Sequence, residues 1–492
     1  MSKKYLSDIL GKDFAEDFDF LKKVNSKMPC VIQAPTGYGK STFFKQEFCD
    51  YCRKNGYTAI MLLPRTAPIE EFAEEIKATN NANVLKLATY QHIASTGDTL
   101  DYDFIICDEC HFFVTDSIFN NDTDISYELV RQSRGIKIFI SATPEPFMPI
   151  LSDYFGFQQR TISENENDNI KAVNLLPLNN KKQVHETVCN IMPTLQHKAI
   201  VFCRSAEDAH NIWARFSADA LFVCSKDNQY YADVNQEAYK KMLHEHRFEC
   251  KYLVCTSAVD VGISINDPEL TDIICTFEPD NWTSIVQCIG RKRNQNENDK
   301  ITLHLRDCNE NRINDLISAT QHKLEHYDYY KSHDLKAYFK QYRKRHDPSG
   351  ILYPDFEADQ VKLKIDRFKL AFYHYRLDVL EQVQQCGSYR KYLRQNLKLV
   401  DDTPVKHRKK SSYNRDVLAQ FAKTDRIFTT ADRDEFIKAI NYRKANGDLY
   451  KDIDILNEYM RQMGAELPFE IVRLGKNKER REEYKIIFRL II

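Results

Sequence analysis

Eight short apolar runs punctuate the first 300 residues: CVIQA (30–34), TAIMLL (58–63), FIICD (104–108), KIFIS (137–141), KAIVFC (198–203), ALFVCS (220–225), YLVCTS (252–257) and DIICTF (272–277). Each is nearly continuous rather than alternating, the pattern of parallel strands covered on both faces. Helical patterns fill the intervals, so repeated βα units are predicted. The polar, strand-free SENENDN (163–169) separates the first four runs from the second four and reads as a linker. Beyond about residue 305 the pattern changes to long, charged, aromatic-rich helices. Three more helical patterns (413–424, 430–445, 449–464) precede two apolar strands, FEIVRL (469–474) and YKIIFRL (484–490), joined by GKNKERREE. The predicted architecture is therefore two α/β parallel-sheet lobes, 1–162 and 163–305, a helical accessory region, 306–405, and a C-terminal domain, 406–492. Three helices and a charged hairpin in that last domain predict a winged helix.

Length and composition sharpen this picture. A chain of 492 residues exceeds one ordinary core, and 42% hydrophobic residues suffice for packed domains. No apolar run approaches the roughly 20 residues that span a bilayer, and MSKKYLSDILGKDF lacks an apolar signal region. A soluble, cytoplasmic protein without a membrane partner is expected. The 14 cysteines mostly sit singly in apolar runs, like Cys203 and Cys255, and read as reduced core thiols. Net charge is −1, but residues 301–492 hold 38 Lys and Arg against 29 Asp and Glu, while residues 1–300 hold 32 against 42. A basic final third suggests nucleic acid as partner; a solvated helical surface would give the same count.

Two stretches carry chemistry. VIQA runs into PTGYGKST, a strand–turn–helix junction with Thr36, Gly37, Gly39, Lys40, Ser41 and Thr42. Glycines let backbone curl around phosphates, helix-start amides point at them, and a lysine reaches the terminal ones. The hydroxyl beside that lysine, Ser41, completes a Mg²⁺ shell. Ala34 replaces the first glycine of the usual pattern. The second stretch, CDECHFF (107–113), has the spacing of a haem attachment or half a zinc site. Haem gives no role to Asp108 and Glu109, and zinc needs two further ligands, for which only Cys49 and Cys52 are paired. Asp108 lies at the C-terminal end of an apolar strand, where α/β folds place ligands. Asp108 for magnesium and Glu109 for water are what the phosphate loop lacks, so CDECHFF reads as a metal–nucleotide motif.

APTGYGKST (34–42), DECH (108–111) and SAT (141–143), in that order on a βα series, resemble motifs I, II and III of superfamily 2 helicases of the DEAD/DEAH-like kind. LLPRTAP (62–68) and LATYQHI (87–93) fall where that family places motifs Ia and Ib. IVFCRSAEDA (200–209), CTSAVDVGISI (255–265) and QCIGRKRN (287–294) resemble motifs IV, V and VI. The resemblance spans roughly residues 25–300 and implies two tandem RecA-like domains, ATP and Mg²⁺ as cofactors, and a single-stranded or forked nucleic acid, DNA favoured over RNA. It further implies a γ-phosphate contact from Gln287 and Arg291, nucleotide contact from Asp260 and Gly262, and coupling of hydrolysis to lobe movement through His111 and Ser141–Thr143. Strand-backbone contacts fall on Arg65, Thr89, Arg204 and Thr256. Asn294 stands where the motif usually ends in arginine, so either Arg291 acts alone or Arg293, the expected finger, takes that role. Gly-Arg-x-Arg endings are similar to those of viral-type origin-binding replication helicases. Gln33 lies too close to the phosphate loop for the glutamine motif of DEAD-box proteins proper. The expected activity is an ATP-driven helicase or translocase acting on DNA in replication, with an RNA remodeller or an ATP-gated clamp as alternatives.

In the basic final third, YDYYK (327–331), YFKQYRKR (338–345) and FYHYR (372–376) interleave aromatics with cations, as in a strand-binding groove. For any single aromatic, a core position is the simpler reading. KHRKKSSYNR (406–415), with Lys409 and Lys410, lacks apolar periodicity and reads as an exposed phosphate-contacting linker. Lys478, Arg480 and Arg481 fall near the wing tip. Either the third helix enters a groove, or the domain braces the lobes.

Overall fold

The computed structural model describes residues 6, 28–65, 69, 72–73, 76, 81–120, 122–162, 169–176, 181–256, 264–293, 299–343, 347–357, 360–407, 415–423, 427–429, 433–442, 449–463, 468–476 and 482–488. In the first lobe, β1 (Cys30–Gln33), β2 (Ala59–Leu63), β3 (Leu85–Thr89), β4 (Phe104–Asp108), β5 (Ile136–Ser141) and β6 (Gln158–Thr161) form one sheet. Its order is β3-β2-β4-β5-β1-β6, every pair parallel. Alternate side chains feed two cores. Ile32, Met61, Phe104 and Ile138 enter one, while Val31, Ile60, Ile105, Cys107 and Phe139 enter the other. Apolar cover on both faces is why the predicted runs are continuous. The runs around 30, 59, 104 and 137 are strands as expected. β3 escaped prediction because exposed Lys86 breaks its run, and β6 because QQRT is a polar, largely exposed edge.

The second lobe contains β7 (Ile170–Leu176), β8 (Lys198–Cys203), β9 (Ala220–Val223), β10 (Tyr252–Thr256), β11 (Leu270–Cys275) and β12 (Ile301–Arg306). The accessory segment then adds an antiparallel hairpin, β13 (Leu352–Glu357) and β14 (Gln360–Ile365). A last strand, β15 (Val405–His407), returns to pair with β7 and completes the parallel order β15-β7-β12-β11-β8-β10-β9. The chain thus contains two tandem RecA-like parallel sheets. Within the mainly helical region beyond residue 305, the β13–β14 hairpin was not foreseen: LYPDFE and QVKLKI are too polar to read as strands, yet they pair. Helices Glu310–Ser332 and Arg367–Gln385 pack through Ile313, Leu316, Val379, Leu380 and Val383, all inside the second lobe's core. Tyr338, Tyr342 and Tyr373 are buried, so these aromatics pack rather than line a groove.

The C-terminal segment places helices Arg415–Lys423, Asp434–Ile440 and Ile453–Met463 against a three-stranded antiparallel sheet. Its strands β16 (Ile427–Thr429), β17 (Phe469–Lys476) and β18 (Glu482–Phe488) run in the order β16-β18-β17. Helix–strand–helix–helix–strand–strand is the winged-helix order; β16 was not foreseen because only three residues pair. Leu418, Phe421, Phe428, Phe436, Leu456, Met460, Phe469 and Tyr484 form a core drawn from these elements. The third helix exposes Asp454, Glu458 and Arg461. Two carboxylates against one guanidinium repel phosphate, so this face is poorly suited to enter a groove. Among the described residues, no helix is long and apolar enough to cross a membrane.

Candidate nucleotide site between the lobes

β1 ends in a loop that curls through Gly37 (φ 79°) and Gly39 (φ 73°) before helix Lys40–Lys45. These left-handed angles are open to glycine without a Cβ penalty. The Lys40 ammonium lies in the curl, donating to the carbonyls of Ala34 at 2.8 Å and Pro35 at 3.4 Å. Thr36, Gly37, Gly39, Lys40 and Ser41 are half-buried around it, and Thr42 is exposed.

β4 delivers Asp108 to the same edge. Glu109 follows with φ 49°, a left-handed conformation that costs a non-glycine residue about 1–3 kcal/mol. Cys107 and Cys110 are fully buried in one core, and Cys49 and Cys52 in the core on the sheet's opposite face. The two pairs therefore cannot share a zinc ion.

A buried network surrounds Glu109. The Ser141 hydroxyl donates to Glu109 Oε2 at 3.3 Å, accepts from the Thr143 amide at 2.9 Å, and lies 2.8 Å from His111 Nδ1. With its one proton committed to Glu109, Ser141 is satisfied when His111 Nδ1 carries a hydrogen. Burial holds His111 below its ordinary pKa, favouring the neutral ring. Burial also works to raise Glu109, but Lys40 and Arg291 among its neighbours outweigh it and hold this carboxyl below the usual range. Asp108 is pushed up to about 7 by burial and by Glu109 beside it. Burial lowers Lys40, an effect the two carboxylates oppose. Two adjacent buried carboxylates of which one resists ionising are what a divalent cation would relieve, so this donor set fits Mg²⁺, with Ser41 adding a hydroxyl.

The second lobe closes over this network. Gln287, on helix Trp282–Ile289, donates from Nε2 to Glu109 Oε2 at 3.3 Å, joining residues 178 positions apart. Arg291 donates to the Gln287 side chain at 2.6 Å and to its backbone carbonyl at 3.0 Å. A Cβ on Gly290 would come within 2.1 Å of Thr36 Oγ1, so the glycine is what lets this turn touch the phosphate loop. Arg293 Nε donates to Ser264 Oγ at 3.1 Å. Burial lowers Arg293 to about 10, with Arg291 adding to the effect. Lys292 between them points away: its ammonium is fully buried, 2.6 Å from Asp299 and bonded to the Asp267 carbonyl.

Arg65, Thr89, Arg204 and Thr256 lie at or just beyond the C-terminal ends of β2, β3, β8 and β10, the edge where α/β folds bind ligands. Arg65 pairs with Asp116 at 2.9 Å, and the Thr89 hydroxyl is buried, accepting from the His92 amide. Arg204 reaches Glu278 at 3.4 Å with 60% of its side chain exposed. Asp260, Gly262, Lys409, Lys410, Lys478, Arg480 and Arg481 lie outside the described residues, as do Asn294 and residues 163–168 of the expected linker. Gly290, Asp116 and Asp299 were not singled out by sequence reasoning. Only Gly290 carried a signal, standing inside a quoted motif.

The model of the helicase conserved C-terminal domain matches residues 183–294, from the helix before β8 to Asn294. The second lobe is similar to the helicase conserved C-terminal domain over those residues. Roughly residues 25–300 resemble superfamily 2 helicases, with the remaining motifs on the first lobe. Among solved structures, S. cerevisiae Dbp5 bound to RNA and ADP BeF3 is similar at 12% identity and TM-score 0.45, covering 65% of this chain and 93% of that one. The DEAD-box helicase Mss116 bound to ssRNA and UDP-BeF aligns at 12% identity and TM-score 0.43, covering 77% and 90%. The Escherichia coli DEAH/RHA helicase HrpB aligns at 15% identity and TM-score 0.39, covering 59% and 42%. No curated protein matches the sequence.

Proposed function

We propose that this helicase-like chain hydrolyses ATP between its lobes and couples hydrolysis to movement along DNA, in replication. The observation that carries this is the Gln287–Glu109 contact: a second-lobe side chain reaches the buried carboxylate beside the phosphate loop. On this reading Thr36, Gly37, Gly39, Lys40, Ser41 and Thr42 hold the triphosphate, and Ser41 with Asp108 holds Mg²⁺. When bound, the ion neutralises charge on the terminal phosphates. Glu109, kept ionised by Lys40 and Arg291, orients the attacking water and takes its proton. Arg291 and Arg293 face the charge that develops on the transferred group. The site is complete only when the lobes meet, so nucleotide favours the closed state. His111 and Ser141 pass the state of Glu109 to the SAT segment. Arg65, Thr89, Arg204 and Thr256 grip the strand, and Asp260 and Gly262 complete motif V.

What supports DNA is the Gly-Arg-x-Arg ending together with the basic balance of residues 301–492. The test is steady-state ATP hydrolysis by the full chain, alone and with single-stranded DNA, single-stranded RNA or duplex, beside Glu109→Gln. Stimulation by single-stranded DNA that vanishes in the variant is expected. Stimulation by RNA alone makes the protein an RNA remodeller. Binding without stimulation by any polymer leaves an ATP-gated clamp and ends the motor reading.

A further inference from the structure

Helix Arg367–Gln385 belongs to both lobes. At its N-terminal end Phe368 and Ala371 are buried in the first lobe's core, with the Phe368 ring 5.2 Å from Tyr127 and 6.4 Å from Phe113, two residues past the DECH segment. Arg367 anchors the same end, donating to Glu128 at 2.6 Å and pairing with Asp153. At its other end Val379, Leu380 and Val383 are buried in the second lobe's core beside Trp282, Ile285 and Cys288. One helix of 19 residues, roughly 28 Å long at 1.5 Å per residue, is thus rooted at both ends.

Its middle meets the start of the helix that carries Gln287. The Thr283 hydroxyl donates to Tyr375 Oη at 3.0 Å, and Arg376 pairs with Asp280, whose side chain is fully buried. Asp280 and Thr283 flank the first turn of Trp282–Ile289, and Gln287 and Arg291 follow one and two turns later. The position at which Gln287 meets Glu109 is therefore referenced, through a rigid helix, to the segment next to Glu109 itself. The phosphate loop takes no part in these contacts.

Building on the ATPase reading above, we propose that Tyr375 and Arg376 are positioning residues for hydrolysis: they set where the Gln287–Arg291 turn stands over Glu109. Nucleotide binding in the first lobe is independent of them, so they act on kcat rather than on KM. The test uses the full chain with Tyr375→Phe, Thr283→Val, their double, Arg376→Met and Arg376→Lys. ATP hydrolysis with saturating single-stranded DNA and thermal midpoints are measured on each. Tyr375→Phe and Thr283→Val each delete one partner of a single hydrogen bond, and each should lower kcat about threefold to tenfold. The double should fall no further, because both singles remove the same contact. KM for ATP should stay within about twofold, and Arg376→Lys should recover part of what Arg376→Met loses. Unchanged kcat in Tyr375→Phe and Thr283→Val, or additive losses that track the thermal midpoint, would overturn the proposal and leave the helix a structural strap. A wild-type chain that hydrolyses no ATP would overturn the functional reading beneath it, which the wild-type control reveals by itself.

Discussion

Glu109 combines a left-handed backbone, burial and a carboxylate neighbour, three costs at one position. Such strain persists when surrounding contacts impose it, here the Cys110 amide on Ile140 and the Ser141 hydroxyl on the carboxylate. Glu109→Gln should lower ATP turnover by about 10²–10⁴, the usual worth of a general base. Its thermal midpoint should fall, because the ionised carboxylate, held below its ordinary pKa by Lys40 and Arg291, contributes stability that glutamine forgoes. Hydrolysis assays beside calorimetry would measure both losses. Lys292 bears on stability rather than on the reaction. Lys292→Ala strands Asp299 in the core and should cost about 3–5 kcal/mol in urea denaturation. Lys292→Met with Asp299→Leu should recover most of that loss, since removing both charges leaves none uncompensated. Of the three consecutive cations 291–293, only the outer two face the cleft, and nothing in the sequence distinguished the middle one.

At the scale of the element, the turn after helix Trp282–Ile289 depends on having no side chain. Gly290 has φ −67°, so alanine is conformationally acceptable there and should leave the fold's stability nearly unchanged. Its Cβ nevertheless collides with Thr36, a stiff β-branched side chain, and holds the lobes apart. Gly290→Ala should therefore cut stimulated ATP turnover about 10²-fold, the scale of an ångström misplacement at a reacting centre. ATP binding to the first lobe, followed with a fluorescent nucleotide, should persist. Among strands, the eight legible ones in the lobes have both faces buried, and β17 and β18 were legible as well. β3, β6, β7, β12 and the β13–β14 hairpin were not, because polar residues such as Lys86, Lys171 and His304 break the apolar run, and β15 and β16 pair over only three residues.

For the whole molecule, connectivity matters as much as contact. β15 closes the second sheet from more than two hundred residues downstream of β7, and Val405 is buried there. The winged-helix segment that follows has a core of its own. A chain ended at residue 414 should keep the thermal midpoint of the lobes and their basal ATP hydrolysis. A chain ended at residue 404 should lose the edge strand of the second sheet and unfold at lower temperature. Differential scanning calorimetry of the two truncations checks this directly, and equal midpoints would count against β15 as an integral strand.

The amino-acid pattern by itself determined the inner strands of the two parallel sheets, their order along the chain and which segments carry candidate phosphate, metal and water ligands. These follow from local rules: buried strands must be apolar, and phosphate, metal and water each call for particular side chains. Tertiary structure alone decided which of those side chains meet. The 178-residue gap between Glu109 and Gln287, the inward turn of Lys292, the fit of Gly290 on Thr36 and the double rooting of helix Arg367–Gln385 depend on how separate elements pack. Distance through space between remote segments leaves no mark on either segment's own sequence.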